Sequence, residues 1–133
     1  MDLAEREQRV FALLGVLNRQ PKYLQWLLIK NRRALFLLKV DQITWIEAQG
    51  NYVRVHHRRG SHLVRETIGA LESELNPTSF LRIHRSVIVH LGGIKELQPT
   101  PHGEYRVLME DGTHLVLTRT HRPNLQKAIG RVL

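Results

Sequence analysis

The sequence contains no cysteine among its 133 residues. This absence excludes a disulfide framework, a thiolate zinc site and a cysteine nucleophile. It fits the reducing cytoplasm, which is the compartment we expect for this protein. Long apolar runs are also missing, because none approaches the roughly 20 residues needed to span a bilayer. We therefore expect no membrane partner. The first nine residues, MDLAEREQR, are polar where a signal peptide would be basic and then apolar.

Acidic residues are scarce relative to basic ones. The chain has 12 aspartates and glutamates against 20 lysines and arginines, which gives a formal net charge of +8. Residues 21–65 hold most of the excess, with two acidic side chains, whereas residues 1–20 are neutral overall. Such an excess suits a polyanionic partner, because each neutralised phosphate releases condensed counterions. A solvated basic face without a partner would give the same charge count. The basic residues of this stretch are Lys22, Lys30, Arg32, Arg33, Lys39, Arg54, Arg58, Arg59 and Arg65.

Patterns of catalytic or metal-binding residues are also missing. The 8 histidines form no HExxH or HxH pair, and the neighbouring His56 and His57 would point to opposite faces of a strand. Gly92-Gly93 stands alone, without the other glycines of a phosphate-binding loop. We therefore expect a protein that is not an enzyme and needs no metal or other cofactor.

The spacing of apolar residues predicts an amphipathic helix over residues 2–18. Asp2 and Glu5 have the spacing of a capping box at its start, and Pro21 ends the pattern. Residues 1–21 are thus expected to form an N-terminal helix or linker. The apolar positions of this helix are Leu3, Val10, Leu13, Leu14 and Leu17.

Residues 22–133 predict a second unit that is mainly β, with small antiparallel sheets and one or two short helices. Asp111-Gly112, between two apolar runs, is the strongest hairpin signal. Helices are predicted at Ile68–Leu75 and near Pro123–Gly130. The first of these helices carries two glutamates. Because negative charge would repel it from a DNA groove, a helix-turn-helix motif is disfavoured. The predicted strands are Leu24–Lys30, Ala34–Val40, Ile43–Ala48, Tyr52–His57, His62–Glu66, Phe80–Ile83, Val87–Leu91, Glu104–Glu110 and Thr113–Thr118.

Four segments along the chain match sequence motifs of one protein family. They are DQITWIEAQGNYV at residues 41–53, TIGALE at 67–72, FLRIHRSVIV at 80–89, and Asp111-Gly112 followed by LTR at 117–119. Together, and in this order, they resemble the LytTR (LytR/AlgR-type) DNA-binding family over residues 24–133. The four motifs together are specific to this family, and the HRS sequence that follows a phenylalanine is the most diagnostic of them.

The resemblance implies the output domain of a bacterial transcription regulator with an elongated fold of three small β-sheets. Such a domain reads double-stranded DNA with loops and turns placed in successive major grooves. The resemblance further implies a homodimer on paired direct-repeat sites. Family members commonly follow a receiver domain in the same protein. The resemblance therefore also implies an upstream receiver domain or histidine kinase as a partner.

The resemblance also assigns candidate base contacts. Arg85 follows the motif histidine, and Arg119 lies in the turn after the last strand. The loop between the third and fourth predicted strands supplies a third contact, for which Asn51, Tyr52 and Arg54 stay open. Arginine suits this task because its fork pairs bidentately with guanine. The alternative for each arginine is a surface salt bridge or a stem that covers apolar surface.

Arg85 has a further property that follows from its neighbours. Ile83 and Val87 are both apolar, and their even spacing would place all three side chains on one strand face. Because a charged side chain on the core side is costly, the strand is expected to end or bend at Arg85 and release it outward.

Phosphate contacts are expected from a second set of side chains around the two arginine positions. Hydroxyl and imidazole groups there can donate to phosphate oxygens and set the register on DNA without reading sequence. For His84, a structural role through hydrogen bonds to the backbone is an equal alternative. The candidates are His84, Ser86, Thr118, His121, Arg122, Arg65 and Lys39.

A basic module that binds single-stranded RNA is the alternative function. Such modules stack bases on aromatic side chains. Aromatic residues make up 6% of this chain and are not interleaved with the basic residues, which disfavours stacking. Tyr52 alone could serve as a platform.

Overall fold

The computed structural model describes residues 22–133. The helix predicted within residues 1–21 therefore lies outside the described residues. The described part contains ten strands, two α-helices and three short 3₁₀ turns. The elements are β1 (Trp26–Lys30), β2 (Leu35–Lys39), β3 (Ile43–Gln49), β4 (Tyr52–His57), β5 (Gly60–Val64), α1 (Ile68–Glu74), β6 (Phe80–His84), β7 (Val87–His90), β8 (Ile94–Pro99), β9 (Tyr105–Met109), β10 (His114–Leu117) and α2 (Arg122–Ile129).

The strands form three antiparallel sheets, so the prediction of a mainly β fold built from small sheets is confirmed. A five-stranded sheet in the order β5-β4-β3-β7-β6 lies between a two-stranded hairpin, β1-β2, and a three-stranded sheet, β10-β9-β8. The central sheet brings β3 and β7 together although they are distant in sequence. This pairing decides which turns become neighbours at the edge of the sheet.

Each face of the central sheet is covered by its own hydrophobic core. Phe80 and Ile88 point into the first core, with the hairpin and α1. Leu81, Ile83 and Val89 point into the second core, with the three-stranded sheet and α2. Because both faces are buried, β6 and β7 read as nearly continuous apolar runs instead of clean alternations.

Several local signals produce the structure they predict. Thr67 caps α1, since its Oγ1 accepts a hydrogen bond from the Ala70 N–H at 3.1 Å. Asn31 closes the β1-β2 turn by accepting from the N–H groups of Arg33 and Ala34, each at 2.9 Å. The Asp111-Gly112 hairpin joins β9 to β10. A substitution of Thr67 by alanine would cost about 1 kcal/mol of stability, the usual contribution of such a cap.

One strand was not predicted. β8, Ile94–Pro99, pairs with β9 at the edge of the three-stranded sheet. Its exposure follows no two-residue period, because Ile94, Leu97 and Gln98 are half-buried while Lys95 and Glu96 are exposed. Among the described residues, no helix has the length and apolar character needed to cross a membrane.

Candidate nucleic-acid interface

The turn between β3 and β4 and the turn between β6 and β7 lie side by side. β3 and β7 are antiparallel neighbours in which Glu47 pairs with Val87. The Ala48 N–H extends this pairing by donating to the Ser86 carbonyl at 2.9 Å. The end of β3 therefore meets the start of β7, and the two turns share one end of the central sheet.

A third segment joins them from the other side of β6. The Thr118 N–H donates to the Ile83 carbonyl at 3.0 Å, and the Asn124 side chain donates to the Arg82 carbonyl at 3.0 Å. The end of β10 and the start of α2 are thus held against the end of β6. We call residues 49–54, 84–86 and 118–122 together the three-turn edge.

Arg85 projects from the middle of this edge. β6 ends at His84, the β6-β7 register shifts between Arg82 and His84, and Arg85 is an exposed residue of the following turn. The expectation that the strand ends and releases Arg85 is confirmed. The physical reason is that Ile83 remains fully buried, so the bend separates the charged side chain from the core face.

His84 and Ser86 close the Arg85 turn with hydrogen bonds to each other. The Ser86 N–H donates to His84 Nδ1 at 3.1 Å, and the Ser86 hydroxyl lies 2.9 Å from the same nitrogen. Because Nδ1 accepts from the backbone, the imidazole proton belongs on Nε2. The structure therefore gives His84 a structural role, in which Nε2 takes no part in closing the turn.

Arg119 is exposed, and its stem lies against the loop between β8 and β9. A Cβ atom at position 103 would lie 2.7 Å from Arg119 Cδ, and Gly103 has a φ of +81°. The loop is closed by the Thr100 N–H, which donates to the Glu104 carbonyl at 2.9 Å. The backbone conformation at position 103 thus favours glycine, and a Cβ there would displace the Arg119 stem from its present position.

The three candidates in the β3-β4 region differ in how they are held. Arg54 is half-buried and donates to Ser61 Oγ at 3.0 Å. Asn51 and Tyr52 are exposed and have no side-chain hydrogen bond within residues 22–133. Asn51 and Tyr52 are therefore the more available groups in this part of the edge.

Thr118, His121 and Arg122 have partners inside the protein. Thr118 Oγ1 lies 2.7 Å from His121 Nδ1. Burial lowers the pKa of His121, and the neighbouring charge of Arg82 lowers it further. The Arg122 guanidinium donates to the Leu133 carbonyl at 3.1 Å and lies 5.3 Å from the Tyr105 ring centroid. Their proposed phosphate contacts stay predictions.

The last two phosphate candidates lie at opposite ends of the molecule. Arg65 is exposed and directly follows β5, whose Val64 pairs with Val53 near the β3-β4 turn. Lys39 instead lines a small cavity with Phe80 and His90, the residues that begin β6 and end β7. The structure therefore brings Arg65 to the three-turn edge and keeps Lys39 away from it.

Other features of the site bear on the alternatives. Among the described residues, no group of three or more histidine, aspartate or glutamate side chains could hold a metal ion. The Trp45 ring stacks on His56 at 3.9 Å, and Tyr105 lies beneath Arg122. Tyr52 is thus the exposed aromatic residue of the edge.

Comparison with known proteins identifies a protein family that matches most of this chain. The family model described as the LytTr DNA-binding domain matches residues 33–130. The chain belongs to this family. The LytTR domain is 28% identical over 96 residues to the sensory transduction protein LytT of Bacillus cereus, covering 72% of this chain and 39% of that protein.

Two further relatives are regulators by their names. The positive alginate biosynthesis regulatory protein of Pseudomonas aeruginosa is 32% identical over 94 residues, which cover 69% of this chain and 38% of that protein. The transcriptional regulatory protein LytR of Staphylococcus aureus is 29% identical over 96 residues, 72% of this chain and 39% of that protein. The chain therefore spans about two fifths of the length of these relatives.

The fold of the LytTR domain also matches a solved structure. A LytTr DNA-binding domain from Bacillus cereus superposes with a TM-score of 0.72, covering 80% of this chain and 98% of that chain. The two sequences are 20% identical, so this likeness concerns the fold.

Sequence reasoning missed three residues around these arginines. Arg82 donates to the Arg85 turn, Glu72 accepts from Arg82, and Gly103 leaves room for the Arg119 stem. Glu72 and Gly103 carry no local signal of these contacts, because their partners lie elsewhere in the chain. The one hint is that Arg82 is a charged residue between Leu81 and Ile83, which are both buried. Such a position requires partners for the guanidinium group.

Proposed function

We propose that this chain binds double-stranded DNA sequence-specifically through the three-turn edge. The observation that carries the proposal is that Arg85 and Arg119 are exposed on adjoining turns, with Asn51 and Tyr52 beside them at the same end of the sheet. Family membership supports it, since the matching family model describes a DNA-binding domain.

The chemistry of the edge suits base readout. An arginine presents a planar fork of donors that matches O6 and N7 of guanine in the major groove. Arg85 projects from a turn closed by hydrogen bonds, so little backbone freedom is lost when it binds. Asn51 can pair bidentately with adenine on the same principle.

The finer parts of the proposal concern the natural regulator. We propose that the domain is the output module of a bacterial transcription regulator, that it works in the cytoplasm without catalysis, and that it binds paired direct repeats as a homodimer. An upstream receiver domain or histidine kinase is the proposed source of the signal. The names of the relatives, which include two regulatory proteins and a sensory transduction protein, support this role.

The test compares Arg85→Ala with Arg59→Ala on a DNA site selected from a random pool. Arg59 is exposed in the β4-β5 turn at the opposite end of β4. Arg85→Ala is expected to cost about 1–3 kcal/mol of binding free energy on the selected site and to relax the preference at one base pair. Arg59→Ala is expected to weaken all sequences alike, with a salt slope lower by about one unit at most.

Affinity is measured for the selected site, its single-base variants and random DNA at two salt concentrations. Equal losses for Arg85→Ala on selected and random DNA would make Arg85 a phosphate contact. Stronger binding of single-stranded RNA than of duplex DNA would favour the alternative function instead.

A further inference from the structure

Arg82 lies in β6 with its side chain directed along the three-turn edge. Its Nε donates to the His84 carbonyl at 3.0 Å, and one terminal nitrogen donates to the Arg85 carbonyl. The other terminal nitrogen donates to Glu72 Oε1 at 2.6 Å. The side chain is 17% exposed. One planar group thus connects α1 to the backbone of the turn that carries Arg85.

The two carbonyl contacts have a specific consequence for Arg85. The His84 carbonyl belongs to the peptide plane before the Arg85 Cα, and the Arg85 carbonyl belongs to the plane after it. Rotation of these planes changes φ and ψ of Arg85, so two hydrogen bonds from one rigid fork restrain both angles. The direction in which the Arg85 side chain leaves the backbone is set in this way.

Glu72 fixes the guanidinium from the other side. It lies on α1, which the fully buried Leu71 anchors in the first core and Thr67 caps. The guanidinium therefore has three acceptors, two of them in the turn and one on a packed helix. A lysine at position 82 would keep the charge but could not reproduce this geometry.

The backbone of Arg82 is engaged at the same time. Its carbonyl accepts from the Asn124 side chain on α2 at 3.0 Å, next to the segment that carries Arg119. The side chain of Arg82 thus contacts the turn that carries Arg85. Its backbone contacts the helix next to the segment that carries Arg119.

We propose that Arg82, held by Glu72, is a positioning residue that sets DNA specificity by orienting Arg85. The inference rests on the proposed function and deepens it, because it names the groups that make Arg85 a base reader. Arg82 itself need not touch DNA, since its guanidinium is occupied by three protein acceptors.

The test uses Arg82→Lys, which keeps the charge, with Arg106→Lys as the matched control. Arg106 lies exposed on β9, away from these contacts. We expect Arg82→Lys to reduce the preference for the selected site over random DNA by at least about fivefold, toward the effect of Arg85→Ala. Its salt slope should stay unchanged because no charge is removed. Arg106→Lys should change neither quantity.

A double-mutant cycle separates positioning from general stability. In the Arg85→Ala background, Arg82→Lys should cause no further loss of specificity, because the side chain that it orients is gone. Glu72→Gln leaves a neutral acceptor and should give a smaller loss of the same kind. Thermal unfolding of each variant confirms that the domain remains folded at the binding temperature.

Amide hydrogen exchange of the free protein provides the readout that does not depend on DNA. Exchange at Ser86, whose N–H donates to His84 Nδ1, should be faster in Arg82→Lys than in the parent or in Arg106→Lys. Unchanged exchange and unchanged specificity in Arg82→Lys would overturn the positioning role, as would a loss that adds in full to that of Arg85→Ala. A neutral Arg85→Ala with faster exchange in Arg82→Lys would instead overturn the proposed function.

Discussion

The turn that carries Arg85 and the turn that carries Asn51 lie side by side but are held differently. The first is closed by His84 and Ser86 and restrained by Arg82. The second depends on Gly50, whose φ is +63°, and no side-chain hydrogen bond restrains its backbone at Asn51 within the described residues. The backbone of the first turn is therefore preorganised, whereas that of the second has fewer restraints.

This difference teaches how one edge can combine rigid and adaptable contacts. A backbone that is already ordered loses little entropy on binding, whereas ordering the backbone of one free residue costs about 1–2 kcal/mol. The Arg85 turn is suited to a strict base preference. The Asn51 turn is suited to a contact that tolerates more than one sequence.

The largest expected effect is a difference in the loss of DNA-binding free energy between substitutions in the two turns. Arg85→Ala should cost about 1–3 kcal/mol on the selected site, and Asn51→Ala should cost about 1 kcal/mol less because part of its contact energy is spent on ordering the backbone of its turn. Competition binding against single-base variants of the site measures both. If Asn51→Ala reduced the preference for the selected base pairs more than Arg85→Ala did, the assignment of rigid and adaptable turns would be reversed.

A pair of glycine substitutions gives the next largest effect. Gly103→Ala and Gly112→Ala should each lose about 1–2 kcal/mol of stability, since both positions have positive φ angles that favour glycine. Gly103→Ala should also displace Arg119 and lower DNA specificity, because its Cβ would lie 2.7 Å from Arg119 Cδ. Gly112 lies in the β9-β10 hairpin outside the three-turn edge, and a Cβ there meets no atom within 4 Å.

Chemical unfolding measures the stability of the two glycine variants, and affinity on selected and random DNA measures their specificity. Equal specificity losses in both variants would show that Arg119 does not depend on the Gly103 contact. The Gly112→Ala protein thus serves as the control for backbone strain outside the three-turn edge.

The smallest expected effect is on the stability of the end opposite the three-turn edge. Burial lowers the pKa of His57, aided by His62 and Arg59, and burial also lowers the pKa of His90, against the charge of Asp41. The folded state therefore binds these protons less readily than the unfolded chain, whose histidines titrate near 6.5. Their contribution to stability is complete above that pH and is lost as the pH falls below it.

Denaturant unfolding between about pH 7.5 and about pH 5.5 checks this pH dependence. The free energy of unfolding should fall over this range, and His57→Phe should reduce the fall. His102→Asn, in the exposed β8-β9 loop, is the matched control. A fall of the same size in His57→Phe would show that other groups cause it.

Local patterns predicted much of the fold, and in particular the strands that carry the candidate readers. Thr67 marked the start of α1, Asp111-Gly112 marked a hairpin, and the spacing of Ile83 and Val87 required the chain to bend at Arg85. Each of these signals acts between residues close in sequence. The bounds of most strands accordingly lie within about two residues of the prediction.

The remaining features depend on pairings between distant residues. Arg82 meets Glu72 because α1 packs over the central sheet, and Lys39 lies at the end opposite the three-turn edge because the hairpin contacts the start of β6. β8 forms because β9 offers it an edge, although its own sequence has no clear period. None of these contacts follows from spacing along the chain.

The absence of cysteine offers the most direct measurement of the central claim, that the three-turn edge contacts DNA. Single variants Asn51→Cys, Arg85→Cys and Arg119→Cys can each be labelled at one position with a DNA-cleaving iron chelate, with Lys39→Cys as the control at the opposite end. On the selected site, the three edge labels should cut at successive positions along one face of the duplex, with Arg85 in the middle, and the Lys39 label should not cut. Cleavage from Lys39 with none from Arg85 would contradict the account.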